Sequence, residues 1–88
     1  MNTNFRFALY VRFQSPTVEL KVISQEFLGL RPATAMQRAK AGSLPFPTFK
    51  LLDSERAPTL VNIDDLAKHM TAKYQQAEEE YQSVQLNS

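Results

Sequence analysis

The spacing of hydrophobic residues changes period along the chain, and each change predicts an element. In residues 5–13, FRFALYVRF, the positions alternate. Phe5, Phe7, Leu9, Val11 and Phe13 fall on one side of an extended chain, with Arg6, Ala8, Tyr10 and Arg12 on the other. A period of two predicts a half-buried strand. A short helix with Phe5, Ala8, Leu9 and Phe13 inward is the competing reading. Ser15-Pro16-Thr17 then interrupts the pattern. From Val18 the spacing becomes helical, with Leu20, Ile23, Phe27 and Leu28 three or four apart, and Gly29 follows as a residue able to take positive φ. These positions predict a first helix over 18–28. Arg31-Pro32 opens a second helix over 32–41, since proline at the first helical position is preorganised and its missing N–H is no loss there. Gly42 ends it, and the short Gly-Leu-Arg connection makes the pair a helix-turn-helix candidate.

The two prolines of Leu44-Pro45-Phe46-Pro47 bar a helix. Residues 48–52 and 59–61 read as the strands of a hairpin whose polar tip is Asp53–Pro58. Asn62 is placed to cap a long helix over about 63–83, with Asp64 and Asp65 at the positive end of its dipole. Residues 84–88 are expected to form a flexible tail, which leaves 1–83 as one domain. Along the long helix Ala67, Met70, Tyr74, Ala77, Tyr81 and Val84 step in a heptad. A helix of 20 residues spans about 30 Å, more than so small a domain can cover. Met70, Tyr74, Ala77 and Tyr81 are therefore the expected dimer interface, in a homodimer or a cooperative array.

Composition narrows the function classes. The chain has 88 residues, 43% of them hydrophobic and 22% charged, the balance of a small globular domain. No apolar run is long enough to span a membrane, and the charged beginning lacks the apolar core of a secretion signal. Cysteine is absent, which suits a reducing cytoplasm. His69 has no second ligand four residues away, no serine has an adjacent base, and helix capping accounts for Asp64-Asp65. No catalytic residue, metal or cofactor is expected, and an enzyme is the least supported class.

Charge points to a partner. The net charge of +1 hides an asymmetry. Residues 1–63 carry eight Lys/Arg against four Asp/Glu, and residues 64–88 carry two against five. Between Glu26 and Asp53 lie Arg31, Arg38, Lys40 and Lys50 and no acid. Projected at 100° per residue, helix 32–41 puts Pro32, Ala35, Met36 and Ala39 on one side. Thr34, Gln37, Arg38 and Ala41 lie opposite, flanked by Arg31 and Lys40. Gln and Arg have the fork geometry that reads adenine and guanine edges in the major groove, and Thr can touch a thymine methyl. A helix-turn-helix followed by a hairpin is a winged-helix order, in which Lys50 and Arg56 would meet phosphates of double-stranded DNA. The plain alternative is an amphipathic helix whose wet face happens to be polar.

Several stretches together resemble the pyocin activator (PrtN) family. They are Glu26–Leu30 (EFLGL), Ala39–Lys50 (AKAGSLPFPTFK), Asp53-Ser54 with Ala57-Pro58, and Val61–Ala67 (VNIDDLA). The resemblance covers about residues 5–72, and its most specific part is A-x-x-G-x-L-P-x-P-x-F with the later D-L-A. It implies an α+β winged helix-turn-helix of the excisionase-like and MerR-like kind, with a short N-terminal strand or helix and a long C-terminal helix. It also implies a small phage-type transcriptional activator that binds promoters of bacteriocin or prophage genes, with RNA polymerase a further candidate partner. Arg31 stands where a Thr or Ser cap before the proline would be expected, and the segment after Lys73 is family-neutral. Two alternatives stay open: an excisionase-like architectural protein that bends DNA, and a protein-interaction adaptor using residues 5–13 and 67–84.

Overall fold

Residues 5–13 form a helix, α1 (Phe5–Phe13), so the strand expectation is overturned in favour of its competitor. The structure is a computed structural model and describes residues 4–86. Inside the alternation lies a second period: Phe5, Leu9 and Phe13 are four apart and share one helical face, while Phe7 and Val11 share another. End chemistry favours the helix. The Asn4 side chain accepts a hydrogen bond from the Phe7 N–H at 2.9 Å. At the other end Gln14 takes the left-handed conformation, φ 52°, and its N–H donates to the Tyr10 carbonyl at 2.8 Å. Leu9 is buried, and Phe5, Tyr10 and Phe13 pack against the core from the edge.

The expected first helix gives its opening residues to a strand. Thr17–Glu19 is β1, and α2 (Leu20–Leu28) starts two residues later than the pattern predicts. β1 pairs antiparallel with β2 (Leu60–Asn62) in the register Thr17↔Asn62, Val18↔Val61, Glu19↔Leu60. Only the central pair, Val18 and Val61, points inward, as strand alternation requires. The Leu20 N–H donates to the Thr59 carbonyl and the Ile63 N–H to the Pro16 carbonyl, each at 2.8 Å, so both strand ends are tied into their flanking helices. The hairpin expected over 48–52 and 59–61 shrinks to one bridge, Phe49↔Leu60. β2 spends its other edge on β1, and residues 51–58 run as bends and turns.

α3 (Pro32–Ala41) has its predicted bounds, with Pro32 in the first turn and Gly42 ending it at φ 68°. Gly29 ends α2 in the same left-handed conformation, φ 67°, and its N–H donates back to Gln25. Ala35 is fully buried and Met36 and Ala39 are half-buried, so this side of α3 lies against α2 as projected, except that Pro32, placed on the same side, is exposed at the helix start. Leu20, Ile23, Val61, Ile63 and Leu66 form the dry centre. Phe46 closes it from the loop and meets the His69 ring edge-on at 5.9 Å, which gives that histidine a packing role. Among the described residues the fold is thus α+β, four helices around a two-stranded antiparallel sheet.

The fourth helix, α4 (Ile63–Leu86), starts where expected. The Asn62 Oδ1 accepts from the N–H groups of Asp64 at 2.8 Å and Asp65 at 3.3 Å. Replacing Asn62 by Ala should cost about 1 kcal/mol in chemical denaturation, the ordinary worth of such a cap. A change within error would show that the two aspartates carry the helix start. α4 buries Ile63, Leu66 and Ala67, but from Ala72 to Leu86 every residue is exposed. It projects well past the body and makes the molecule elongated, 53 × 27 × 17 Å overall. The flexible tail expected at 84–88 is helical as far as Leu86, and residues 87 and 88 lie outside the described residues.

Candidate nucleic-acid interface

The small buried side of α3 fixes which side chains face out. With Ala35 against α2, helical periodicity turns Gln37, Arg38, Lys40 and Ala41 to solvent, and all four are exposed. Thr34 is half-buried at the edge of this face. Arg31, also exposed, is the residue before α3 and takes an extended conformation without a side-chain cap. Lacking that intramolecular bond, its guanidinium stays available.

The loop from Ser43 to Thr59 comes back beside α3. The Phe49–Leu60 bridge anchors it, and Met36 and Lys40 of α3 share one shallow recess with Phe49 and Lys50. At the tip the Lys40 Nζ lies 4.0 Å from Glu55 Oε1. Ser54 organises the turn: its carbonyl accepts from Lys50 Nζ at 3.2 Å and from the Ala57 N–H at 3.1 Å, and its hydroxyl accepts from the Arg56 N–H at 3.2 Å. Lys50 is therefore half-buried and held by the loop, whereas Arg56 is exposed. All seven residues proposed from the sequence thus lie on α3, at its start, or on the loop next to it.

Pairing divides the cations into two groups. Arg6 Nε meets Asp64 Oδ1 at 2.6 Å and fastens α1 to α4. The Arg12 guanidinium makes a two-pronged contact with the Glu26 carboxylate, fastening α1 to α2, and also lies 4.8 Å over the Phe13 ring and 5.4 Å over that of Phe27. That hydrogen-bonded contact holds the Glu26 carboxyl below the ordinary carboxylate range. Lys21 lies 3.9 Å from Glu19. By contrast Arg31, Arg38, Lys50 and Arg56 have no acidic partner among the described residues. The cations of α1 and of the start of α2 are thus matched, while four of the five around α3, like Lys68 and Lys73 on α4, have no acid among the described residues. The group around α3 is the concentrated one, left to attract an anion.

Sequence reasoning missed two residues of this region. Leu51 and Leu52, read as strand, stand 79% and 71% exposed on the loop. No local signal separates two strand leucines from two exposed ones; the reduction of the hairpin to one bridge makes the difference. The expected dimer seam is also divided. Met70 packs on the core and Tyr74 meets Phe5 edge-on at 6.1 Å, whereas Ala77 and Tyr81 are uncovered. Among the described residues no group of three His, Asp or Glu is placed to hold a metal ion, and no helix is long and apolar enough to cross a membrane.

The sequence profile of the family described as pyocin activator protein PrtN matches residues 6–77. The chain belongs to this family. In this pyocin activator family member the match takes in α1 from Arg6, the sheet, α2, α3, the loop, and α4 as far as Ala77. All seven candidate residues lie inside it, and the free end of α4 beyond Ala77 lies outside. Neither the curated proteins nor the solved structures contain a match to the chain.

Proposed function

We propose that the chain is a sequence-specific DNA-binding protein that activates transcription of pyocin, bacteriocin or prophage genes. In this reading α2 and α3 form the helix-turn-helix, α3 enters the major groove, and the Ser43–Thr59 loop serves as the wing along the backbone. The carrying observation is the run of unpaired cations, Arg31, Arg38, Lys50 and Arg56, on α3 and the loop beside it. Gln37 and Arg38 supply the forked groups for base edges, and Thr34 a methyl. Lys40, Lys50 and Arg56 supply phosphate contacts. Family membership supports the activator role. The protein would work in the bacterial cytoplasm on the nucleoid, contact RNA polymerase at the promoter, and use no cofactor, metal or catalytic residue.

One module contacts only a short stretch of duplex, so the reading includes a homodimer or a cooperative array formed through the α4 stripe of Met70, Tyr74, Ala77 and Tyr81. A gel-shift titration with promoter DNA at graded salt tests the DNA-binding part. Five cations on the face predict a log–log salt slope of roughly −3 to −5 per copy. No shift at any salt concentration would overturn the proposal.

A second reading has one observation in its favour. Leu51 and Leu52, exposed between Lys50 and Arg56, have the character of side chains that wedge into a minor groove and kink it. That favours an excisionase-like architectural protein directing a recombinase. A recombination assay on attachment-site DNA, run beside a promoter–reporter assay, separates the two.

A further inference from the structure

The fold leaves two apolar surfaces uncovered, and they complement each other. One is the outer side of α1. With Leu9 turned into the core, the helical repeat carries Phe7 and Val11 to the opposite side, where they stand 66% and 58% exposed. A helix at the edge of a small domain needs one apolar face, and this one has two. The flanking charges are Arg6 and Arg12; residues 4–18 contain no acid. The other surface is the free end of α4. Ala77, Tyr81 and Val84 prolong the stripe that Ile63, Ala67 and Met70 bury, past the point where Phe5 meets Tyr74. Tyr81 and Val84 are 65% and 66% exposed. Glu78, Glu79 and Glu80 accompany them, and no base follows Lys73.

These surfaces do not meet within one chain, because α1 packs on the buried first half of α4 with Phe7 and Val11 turned away from the core. We infer that a second copy joins them. The free end of α4 from one protomer covers the outer face of α1 on its partner, and the partner returns the contact, in an antiparallel two-fold dimer. This rests on the self-association included in the proposed function; of the stripe named there it keeps Ala77 and Tyr81, since Met70 and Tyr74 are engaged within the chain.

Three features carry it. The free end is long enough: the nine residues of α1 run about 13 Å and the twelve from Gln75 to Leu86 about 18 Å. The stripe is continuous: the side of α4 that meets its own α1 at Tyr74 carries on through Ala77, Tyr81 and Val84. With Arg6 and Arg12 already matched by Asp64 and Glu26, charge sets orientation more than affinity. Reciprocity doubles the contact, since each protomer presents both surfaces. A parallel zipper of α4 ends would instead rest on Tyr74, Ala77, Tyr81 and Val84 alone, about two heptads, and would leave Phe7 and Val11 in water.

Sedimentation equilibrium of the full chain, with and without promoter DNA, provides the test. The wild type should dimerise in the micromolar range. Phe7→Glu/Val11→Glu and Tyr81→Glu/Val84→Glu should each weaken self-association at least tenfold while keeping the helical circular dichroism, since all four positions are exposed. The chain has no cysteine, so single-cysteine variants report geometry directly. A short bismaleimide should join Val11→Cys on one chain to Val84→Cys on another and should not join Val84→Cys to itself. If Val84→Cys links to itself, or the Phe7→Glu/Val11→Glu variant dimerises as the wild type does, the inference falls while self-association stands. A wild type that stays monomeric to high micromolar concentration, on and off DNA, overturns both.

Discussion

Arg38→Ala is expected to weaken binding to the cognate promoter by about 1–3 kcal/mol and to abolish preference at one base pair, with little change on unrelated DNA. The substitution is clean for structural reasons. Arg38 is exposed and has no acidic partner among the described residues, so its loss strands no buried charge. Alanine is also the best helix former, so α3 persists. Arg56→Ala should behave differently, weakening all sequences alike and flattening the salt slope by about one, as the loss of a phosphate contact does. Lys50→Ala should resemble Arg56→Ala, with some added loosening of the tip because Lys50 Nζ holds the Ser54 carbonyl. Binding isotherms on cognate and scrambled duplexes distinguish the two classes. If Arg38→Ala and Arg56→Ala lose affinity equally on both duplexes, α3 is not the reading element.

Leu66→Ala should have the largest effect on stability. Leu66 is fully buried at the start of α4, among Leu20, Ile23, Val61 and Ile63. Truncating a core leucine removes its transfer energy and leaves a cavity, about 2–5 kcal/mol together. A chain of this length has roughly 4–13 kcal/mol of stability in all, from the usual 0.05–0.15 kcal/mol per residue. The variant should therefore lose about 40% of its stability at the middle of both ranges, seen as a lower denaturation midpoint with an unchanged slope. Tyr81→Ala, measured under monomeric conditions, is the control and should stay within about 0.5 kcal/mol. A loss below 1 kcal/mol for Leu66→Ala would mean that α4 is not fastened to the core at this point.

The helical boundaries were legible because single residues set them. Gly29 and Gly42 end α2 and α3 with positive φ, Pro32 starts α3 and Asn62 caps α4; each acts within a turn of its own position. The outward face of α3 was legible for a related reason. Ala35, Met36 and Ala39 are small or apolar residues that helical spacing gathers on one side of α3, so Gln37, Arg38 and Lys40 had to point away. The FRFALYVRF segment was ambiguous because a nine-residue helix with apolar groups on two faces has the same alternation as a strand.

The chain's own order of residues thus determined three of the four helices, with the end of α2, both ends of α3 and the start of α4, and the concentration of cations between Glu26 and Asp53. Those are local properties, decided by hydrogen bonds and side-chain spacing over four or five residues. Tertiary structure alone decided that Val18 pairs with Val61, that Leu60 takes Glu19 on one edge and only Phe49 on the other, and that Leu51 and Leu52 are left in solvent. It also decided which cations are free, since Arg6 and Arg12 find Asp64 and Glu26 across the fold while Arg31 and Arg38 find no acid. Such pairings join residues far apart in sequence. They are selected by what the shared core can bury, which no local pattern encodes.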